Sequence, residues 1–551
     1  MSALRRFAFV TLVLAALVAT WAVRMFHVGT FRPPALPAMV GGIADAPTGQ
    51  WVPREEVGIN QLILRGPPYA RGLESGRLTA DLLRAQEDEL TTRLFHFVPR
   101  WLFLALEPFG IAYFSGIDAY FEPWMTQEMY GVSKSAPHEY DWLGDGYTRQ
   151  ITYHGIHEIG QMMVDQKGDV MGCTVAAVPT AKSWLLGRNF DFEGGRIFDR
   201  EKIMKWVFPD DGYAFVSVIW AGMVGAVTGV NEHGIYVSLN AAGTKHYRRI
   251  GTPSTLVALK ILQHAKTADE ALAILRESTL FITDIFVLLD SHAGKLYRIE
   301  KSPLAMEVLP LEGPSIVANH LVGPRFADDP TNLFRRNELT SEARQVRGEA
   351  LLRSAFPAGR LAAKRDEGTI LSVLRDKGEI DGQPLALGNR NAIDPLIAAH
   401  SVVFDGDDQT LYVGKGPGVS GEFLGFDLAA SFRSGRPVRR GSLPSDPRVT
   451  PTAFAAIRLV EEKASAAAHA FARGKCDEGE APYQDALRAL TLVGPETETY
   501  EFVSAGGDRE ACRGNLAAAK TLWRHALALH PAYLSERKGL EDKIATGKLR
   551  K

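Results

Sequence analysis

The spacing of apolar residues changes along the chain, and each change predicts a different kind of element. Phe7 to Val23 is an almost unbroken apolar run between Arg5-Arg6 and Arg24, about long enough to cross a bilayer of ~30 Å as a helix. Leu and Ala recur at helical spacing in Thr79 to Gln86, and an aromatic-rich stretch containing Trp101, Phe103, Phe109, Tyr113 and Phe114 follows; helix is expected from Arg71 to about Tyr130. From Cys173 the pattern shifts to short β-type runs broken by Gly, Asn and Asp. These are Thr174 to Val178, Ser183 to Gly187, Ala214 to Trp220, Gly234 to Asn240, Phe286 to Asp290 and Lys295 to Glu300, which predict stacked antiparallel sheets. One helix interrupts them at Thr267 to Arg276, with Thr267 as cap and Glu270 closing a capping box. A helical region from Leu339 to Arg375 and a hairpin pairing Ser401–Phe404 with Thr410–Val413 complete this body.

Breaks in the pattern set the expected domains. Residues 1–30 form a signal anchor or signal peptide, 31–50 a Pro-rich linker and 51–172 a helical prosegment. Residues 173–431 form the sheet-rich body, the Arg/Gly/Pro/Ser-rich stretch 432–450 a linker, and 451–551 an Ala-rich helical tail. Within the tail, Gly474 to Leu487 and Gly514 to Leu527 look like related helix pairs, and Leu527 to Pro531 resembles the end of a tetratricopeptide repeat. Too few units are visible for a free-standing solenoid, so the tail is expected to pack on the body or on a protein partner.

Composition narrows the functional classes. The 551 residues are 46% hydrophobic and 23% charged, enough for more than one buried core. Lys+Arg 62 against Asp+Glu 64 leaves a formal charge of -2, which gives no electrostatic basis for nucleic-acid binding; a discrete pocket is the better expectation. Positive charge before the first apolar run keeps Arg5 and Arg6 cytoplasmic and the body outside, whether periplasmic, extracellular or lumenal. Cleavage after Ala19-Thr20-Trp21-Ala22 would instead release a soluble secreted protein.

Of the three cysteines, Cys476 and Cys512 fall in the tail and can pair in an exported protein, which leaves Cys173 as the odd thiol. His154, His157 and Glu158 lack a His-Glu-x-x-His spacing, so no metal or other cofactor is expected.

The segments Gly172 to Val178 and Leu185 to Phe192 put a thiol on one strand and an Arg-x-x-Asp on the next. With Ala221 to Asn240, Val317-Ala-Asn-His320 and Ile393 to Val403 following in order, the region from about Tyr153 to Gly416 resembles the N-terminal-nucleophile family. That family takes in choloylglycine hydrolases, penicillin V acylases, acid ceramidase, N-acylethanolamine acid amidase and related self-processing acyltransferases. The resemblance implies an α+β fold, an αββα sandwich, preceded here by the helical prosegment and followed by the tetratricopeptide-like tail. It also implies self-cleavage between Gly172 and Cys173, with Cys173 as nucleophile, Arg188 beside it and Asp191 holding the freed amine. Asn240 and Asn319 would supply the oxyanion hole, and one further arginine would complete the site: Arg344, with Arg335 and Arg336 as competitors. His400 is expected to be structural.

A thiol needs a base, and the α-amine exposed by the cut, with an ordinary pKa of about 7.7–8.0, can serve without a histidine. Glycine before the cysteine lowers hindrance to attack on its carbonyl. The function expected is hydrolysis of the amide bond of an N-acylated small molecule or lipid through a Cys173 thioester. The alternatives are transfer of the acyl group to an amine, and a membrane-tethered binding protein with a vestigial amidase body.

Overall fold

The run from Cys173 to Val178 is apolar or small at every position, and it forms the middle of a strand buried on both faces. The computed structural model describes residues 31–36 and 48–549, apart from 98, 104–109, 111–112, 165–170, 364–365, 381 and 495–496. The apolar run from Phe7 to Val23 lies outside the described residues, among which no helix is long and apolar enough to cross a membrane.

Before Cys173 the chain forms strands β1 (Gly49–Val52) and β2 (Asn60–Gly66), then helices α1 (Pro68–Leu78), α2 (Ala80–Phe97), α3 (Pro123–Ser133) and α4 (Gly146–Val164). The body contributes β3 (Met171–Pro179), β4 (Trp184–Phe192), β5 (Ile203–Pro209), β6 (Phe215–Ile219), β7 (Thr228–Asn231) and β8 (Ile235–Ala241). Helices α5 (Ser254–His264) and α6 (Ala268–Glu277) follow, then β9 (Asp284–Asp290), β10 (Lys295–Lys301), β11 (Met306–Leu311) and β12 (Ser315–Val317). Helices α7 (Pro330–Glu338), α8 (Ser341–Ala355) and α9 (Glu367–Leu374) precede the two-residue strands β13 (Glu379–Ile380) and β14 (Gln383–Pro384). The last strands are β15 (Ala398–Asp405), β16 (Thr410–Gly414), β17 (Phe423–Asp427) and β18 (Arg439–Leu443).

Two sheets carry the architecture. The first has nine strands in the order β1-β2-β5-β6-β7-β8-β9-β10-β11, and the second seven in the order β12-β3-β4-β15-β16-β17-β18. Apolar side chains from both, among them Val175, Leu186, Trp206, Val218, Tyr236, Val287, Val402 and Phe404, fill the space between them. Tyr236 stacks on Phe404 across that gap, at 5.8 Å between ring centroids. The far face of the first sheet is covered by α3, α5 and α6, and that of the second by α8 and α9. The arrangement is the expected four-layer αββα sandwich. Gly187 lets α9 come close to the second sheet, since a Cβ there would lie 2.4 Å from the Cγ2 atom of Ile370.

Several expectations about organisation need correction. The segment before Cys173 is not wholly helical, because β1 and β2 join the first sheet and β2 runs parallel to β5 from Asn60↔Ile203 to Gly66↔Pro209. Alternation in Gln61 to Leu64 is hidden because the strand is covered on both faces, so no period-two signal survives. Nor is the stretch 432–450 simply a linker. Its Arg- and Ser-rich residues 439–443 form β18, an edge strand whose side chains are largely solvated, as edges tolerate. The expected helical region 339–375 holds α8 and α9, and a further helix, α7, precedes it. The α6 cap is as expected, with the Thr267 side chain accepting from the Glu270 backbone N–H; the Glu270 carboxylate reaches back to the N–H of Lys266, one residue before the cap.

The tail is helical: α10 (Pro451–Ala472), α11 (Cys476–Val493), α12 (Tyr500–Cys512), α13 (Leu516–Ala528) and α14 (Leu534–Thr546). A disulfide joins Cys476 to Cys512. The tail packs on the body through Phe454 and Ile457 against Leu396, and through an ion pair from Arg458 to Glu193.

Candidate active site

Cys173 is the third residue of β3, paired with Phe190 of β4, while Gly172 faces Asp191 and Val175 faces Arg188. Strand alternation therefore sends Cys173, Arg188 and Phe190 into the space between the sheets, and Gly172, Thr174 and Asp191 toward the helices. The Arg188 guanidinium lies 3.8 Å from the Cys173 thiol. It is held there by the first sheet: it donates to the Val227 carbonyl at 2.6 Å, to the Thr228 hydroxyl and to the Leu239 carbonyl.

The ladder between β12 and β3 stops at Val317↔Val175. Beyond it the backbone of Cys173 has no strand partner on that side, and side chains replace one. The Cys173 N–H donates to the Asn319 side-chain oxygen at 2.7 Å, and its carbonyl accepts from Arg344 at 2.6 Å. Arg344 also donates to the Thr174 hydroxyl at 2.9 Å and to the same Asn319 oxygen at 2.8 Å. Of the competing arginines, Arg336 points outward to Glu342, and Arg335 lies beside Gly243. Arg344 is the one seen to bond the Cys173 backbone.

Asp191 is buried, and one of its carboxylate oxygens has no hydrogen-bond partner. Burial pushes its carboxyl up from 3.8 to about 7, against the pull of Arg344. The other oxygen lies 3.4 Å from where a Cβ on Gly172 would sit, so the carboxylate borders the bond before Cys173. The thiol is also raised by burial, partly offset by the charge of Arg188.

Asn240 does not stand as expected. Its amide nitrogen, at the end of β8, donates to the Val317 and Ala318 carbonyls at 2.9 and 3.1 Å, and its oxygen is buried without a partner. Both N–H bonds are thus committed across the sheets, and no donor is left over for an oxyanion in this uncut chain. Asn319 uses one amide proton on the Ala241 carbonyl at 2.9 Å, which leaves the second for other duty.

Sequence reasoning left several neighbours out. Thr228 bridges the site, with its hydroxyl on Arg188 and 2.9 Å from the outer ring nitrogen of His400. His400 stacks on Phe190 at 5.0 Å, and burial followed by the nearby Arg188 holds its pKa well below 6.5, so it is neutral. Ser341 bonds the backbone N–H of Asn319 at 2.7 Å. Thr228 sits inside a motif already singled out, but Ser341 carried no signal beyond opening a helix. His154 accepts from the Val224 backbone N–H at 2.9 Å and is held neutral by burial, with its pKa near 4; the side chains of His157 and Glu158 lie outside the described ones.

Residues 179–378 match the family model described as acyl-coenzyme A:6-aminopenicillanic acid acyl-transferase, a stretch that contains Arg188, Asp191, Asn240, Asn319 and Arg344 and begins just after Cys173. The chain is 24% identical over 238 residues to Protein dcd1A of Dictyostelium discoideum, covering 39% of this chain and 52% of that protein. It is 23% identical over 314 residues to an uncharacterized protein of Archaeoglobus fulgidus, covering 53% of this chain and 50% of that one. The chain thus spans about half the length of these curated relatives. Among solved structures, a Caenorhabditis elegans N-acylethanolamine-hydrolyzing acid amidase ortholog aligns at 18% identity and a TM-score of 0.30, over 43% of this chain and 96% of that one. A mutant of the conjugated bile acid hydrolase from Clostridium perfringens aligns at 12% identity and 0.35, over 51% and 99%. The match lies within the stretch whose motifs resemble the N-terminal-nucleophile proteins, and the four-layer arrangement is the one that resemblance implies.

Proposed function

We propose that this chain is the precursor of a self-processing cysteine amidase acting on an N-acylated small molecule or lipid. The observation that carries the reading is the backbone of Cys173, whose N–H and C=O are held by the side chains of Asn319 and Arg344 while Arg188 attends its thiol. A strand residue with no further role would have its backbone bonds made by another strand.

In the first step the Cys173 sulfur attacks the Gly172 carbonyl, the peptide nitrogen leaves as the amine of Cys173, and a thioester to Gly172 remains. Water then hydrolyses the thioester, giving the Gly172 carboxylate and restoring the thiol. The new amine inherits the Asn319 oxygen as an acceptor and has Asp191 nearby, with its unpartnered oxygen, as a counter-charge. That amine takes the proton of the thiol as it attacks a substrate amide and passes it to the leaving amine. The second amide proton of Asn319 is the donor for the oxyanion; Asn240 joins it only by giving up a bond to Val317 or Ala318.

The matched family is described as an acyl-transferase, which favours a second outcome for the same thioester, capture by an amine rather than water. The disulfide of the tail fits an oxidising compartment and supports an exported body, tethered by residues 1–30 or released by their cleavage.

Intact-mass measurement of the purified full chain tests the reading. A fragment beginning at Cys173, absent from Cys173→Ala, is expected; uncut wild-type protein at both mildly acidic and neutral pH would leave a binding protein with a vestigial amidase body. Trapping the acyl-enzyme and comparing its release in water with release by added amines separates hydrolysis from transfer.

A further inference from the structure

Asn319 lies two residues past the end of β12, in a turn with no ladder to fix it. Its place is set from three directions. The Arg298 side chain donates to the His320 carbonyl and pairs with Glu300 at 2.7 Å, and Glu300 in turn accepts from the Val322 and Gly323 N–H groups at 2.8 and 2.9 Å. Asn332 bonds both backbone groups of Leu321, at 2.7 and 2.9 Å. These two clamps act downstream of Asn319. Among the described residues, Ser341 is the side chain that reaches the Asn319 backbone itself, accepting its N–H at 2.7 Å.

The Ser341 hydroxyl is fully engaged. It also lies 2.8 Å from the inner ring nitrogen of His320, whose outer nitrogen is 3.3 Å from the Glu342 carboxylate. With His320 neutral, a proton on its outer nitrogen points to Glu342 and the inner nitrogen accepts the Ser341 proton, so each group has one role. Burial and the charge of Arg298 hold the His320 pKa near 4, consistent with that tautomer. The line ends on a backbone N–H, so it conveys position, not protons. Ser341 and Arg344 stand one turn apart at the start of α8, which therefore grips Asn319 by backbone and by side chain together.

We propose that Ser341, braced by His320 and Glu342, is the positioning residue that sets the Asn319 carboxamide against Cys173, for the self-cut and for turnover alike. The proposal rests on the amidase reading above. The line acts through Asn319 and ends on its backbone, so the loss of Ser341 should appear in rates, not in substrate affinity.

The test uses the full chain, with the fraction cut followed by intact mass and turnover of a fluorogenic N-acyl aminocoumarin by the cut protein. Ser341→Ala should lower both the cutting rate and kcat by about tenfold or more with KM within about twofold, and Ser341→Thr, which keeps the hydroxyl, should recover most of both. Glu342→Gln, at a half-buried position tolerant of change, should lower kcat by about threefold. Wild-type cutting and kcat in Ser341→Ala, even with a lowered melting temperature, overturns the proposal. If Ser341→Ala does not fold, wild-type kcat in Glu342→Gln overturns it instead. A wild-type chain that neither cuts nor hydrolyses any amide removes the amidase reading, and this proposal with it; one that does both while the variants match it removes only this proposal.

Discussion

The side-chain oxygen of Asn319 lies 2.7 Å from the backbone nitrogen of Cys173, in the place where the next residue of a paired strand would otherwise accept that bond. In the uncut chain that nitrogen is an amide; after the proposed cut it is an amine, and the same oxygen can hold it.

Arg344→Ala should stop processing where Arg336→Gln does not. The first leaves the Cys173 carbonyl buried without its side-chain donor, at about 1–3 kcal/mol, removes one of the two donors to the Asn319 oxygen, and should slow the cut by about 100-fold. Arg336 pairs with Glu342 at the surface, a contact worth less than about 1 kcal/mol. A time course of cleavage on a denaturing gel checks both, and equal rates would count against the role given to Arg344.

Asp191 gives the uncut chain a pH dependence of known sign. The folded carboxyl keeps its proton up to about pH 7 and the unfolded one only to about 3.8, so between those values the folded chain binds more protons. Its contribution is greatest below the lower value and falls as pH rises to the upper one, by on the order of 2–4 kcal/mol. Urea unfolding of Cys173→Ala at several pH values should show this slope, and Cys173→Ala with Asp191→Asn should flatten it. An unchanged slope in the double variant would mean that Asp191 titrates normally.

The two products of the cut should stay together. The β2 strand is an interior strand of the first sheet, and Arg71 of α1 and Lys205 of β5 converge on Glu128 of α3, at 2.7 and 3.8 Å, in a buried cluster that crosses the cut. Burial lowers the Lys205 pKa to about 8. Size-exclusion chromatography under native conditions should show one species and a denaturing gel two; separation under native conditions would contradict the shared sheet.

Close approach of α1 and α3 makes Gly72 intolerant. A Cβ there would lie 1.9 Å from the Glu128 carbonyl oxygen, backbone that can move only if the helices part. Gly72→Ala should cost about 1–3 kcal/mol or more by chemical unfolding of the uncut chain. A variant as stable as the parent would show that the helices separate freely.

How much was legible in the chain depends on whether the signal was local. The strands around Cys173 and Arg188 announced themselves because apolar runs are bounded by turn residues, and α6 because its cap and its apolar face lie within ten residues. Strand β18 and the contribution of β1 and β2 to the first sheet did not, since an Arg-rich edge and a strand covered on both faces lack the alternation that marks a half-buried strand. Arg344 could be named only as one of three, because Arg335, Arg336 and Arg344 all sit on helices and nothing in the spacing says which helix face meets β3.

The sequence by itself determined the thiol, its glycine neighbour and the set of residue types that such chemistry requires, since those are covalent facts carried by short motifs. Only the tertiary structure decided which groups those residues address. Asn319 turns an oxygen toward Cys173, and Asn240 spends its amide on Val317 and Ala318. Ser341 enters the site because the start of α8 packs beside the turn that follows β12. The reason is that each of these bonds joins residues more than 20 positions apart, and the direction of a hydrogen bond is fixed by the packing of the sheets and helices that bring such residues together.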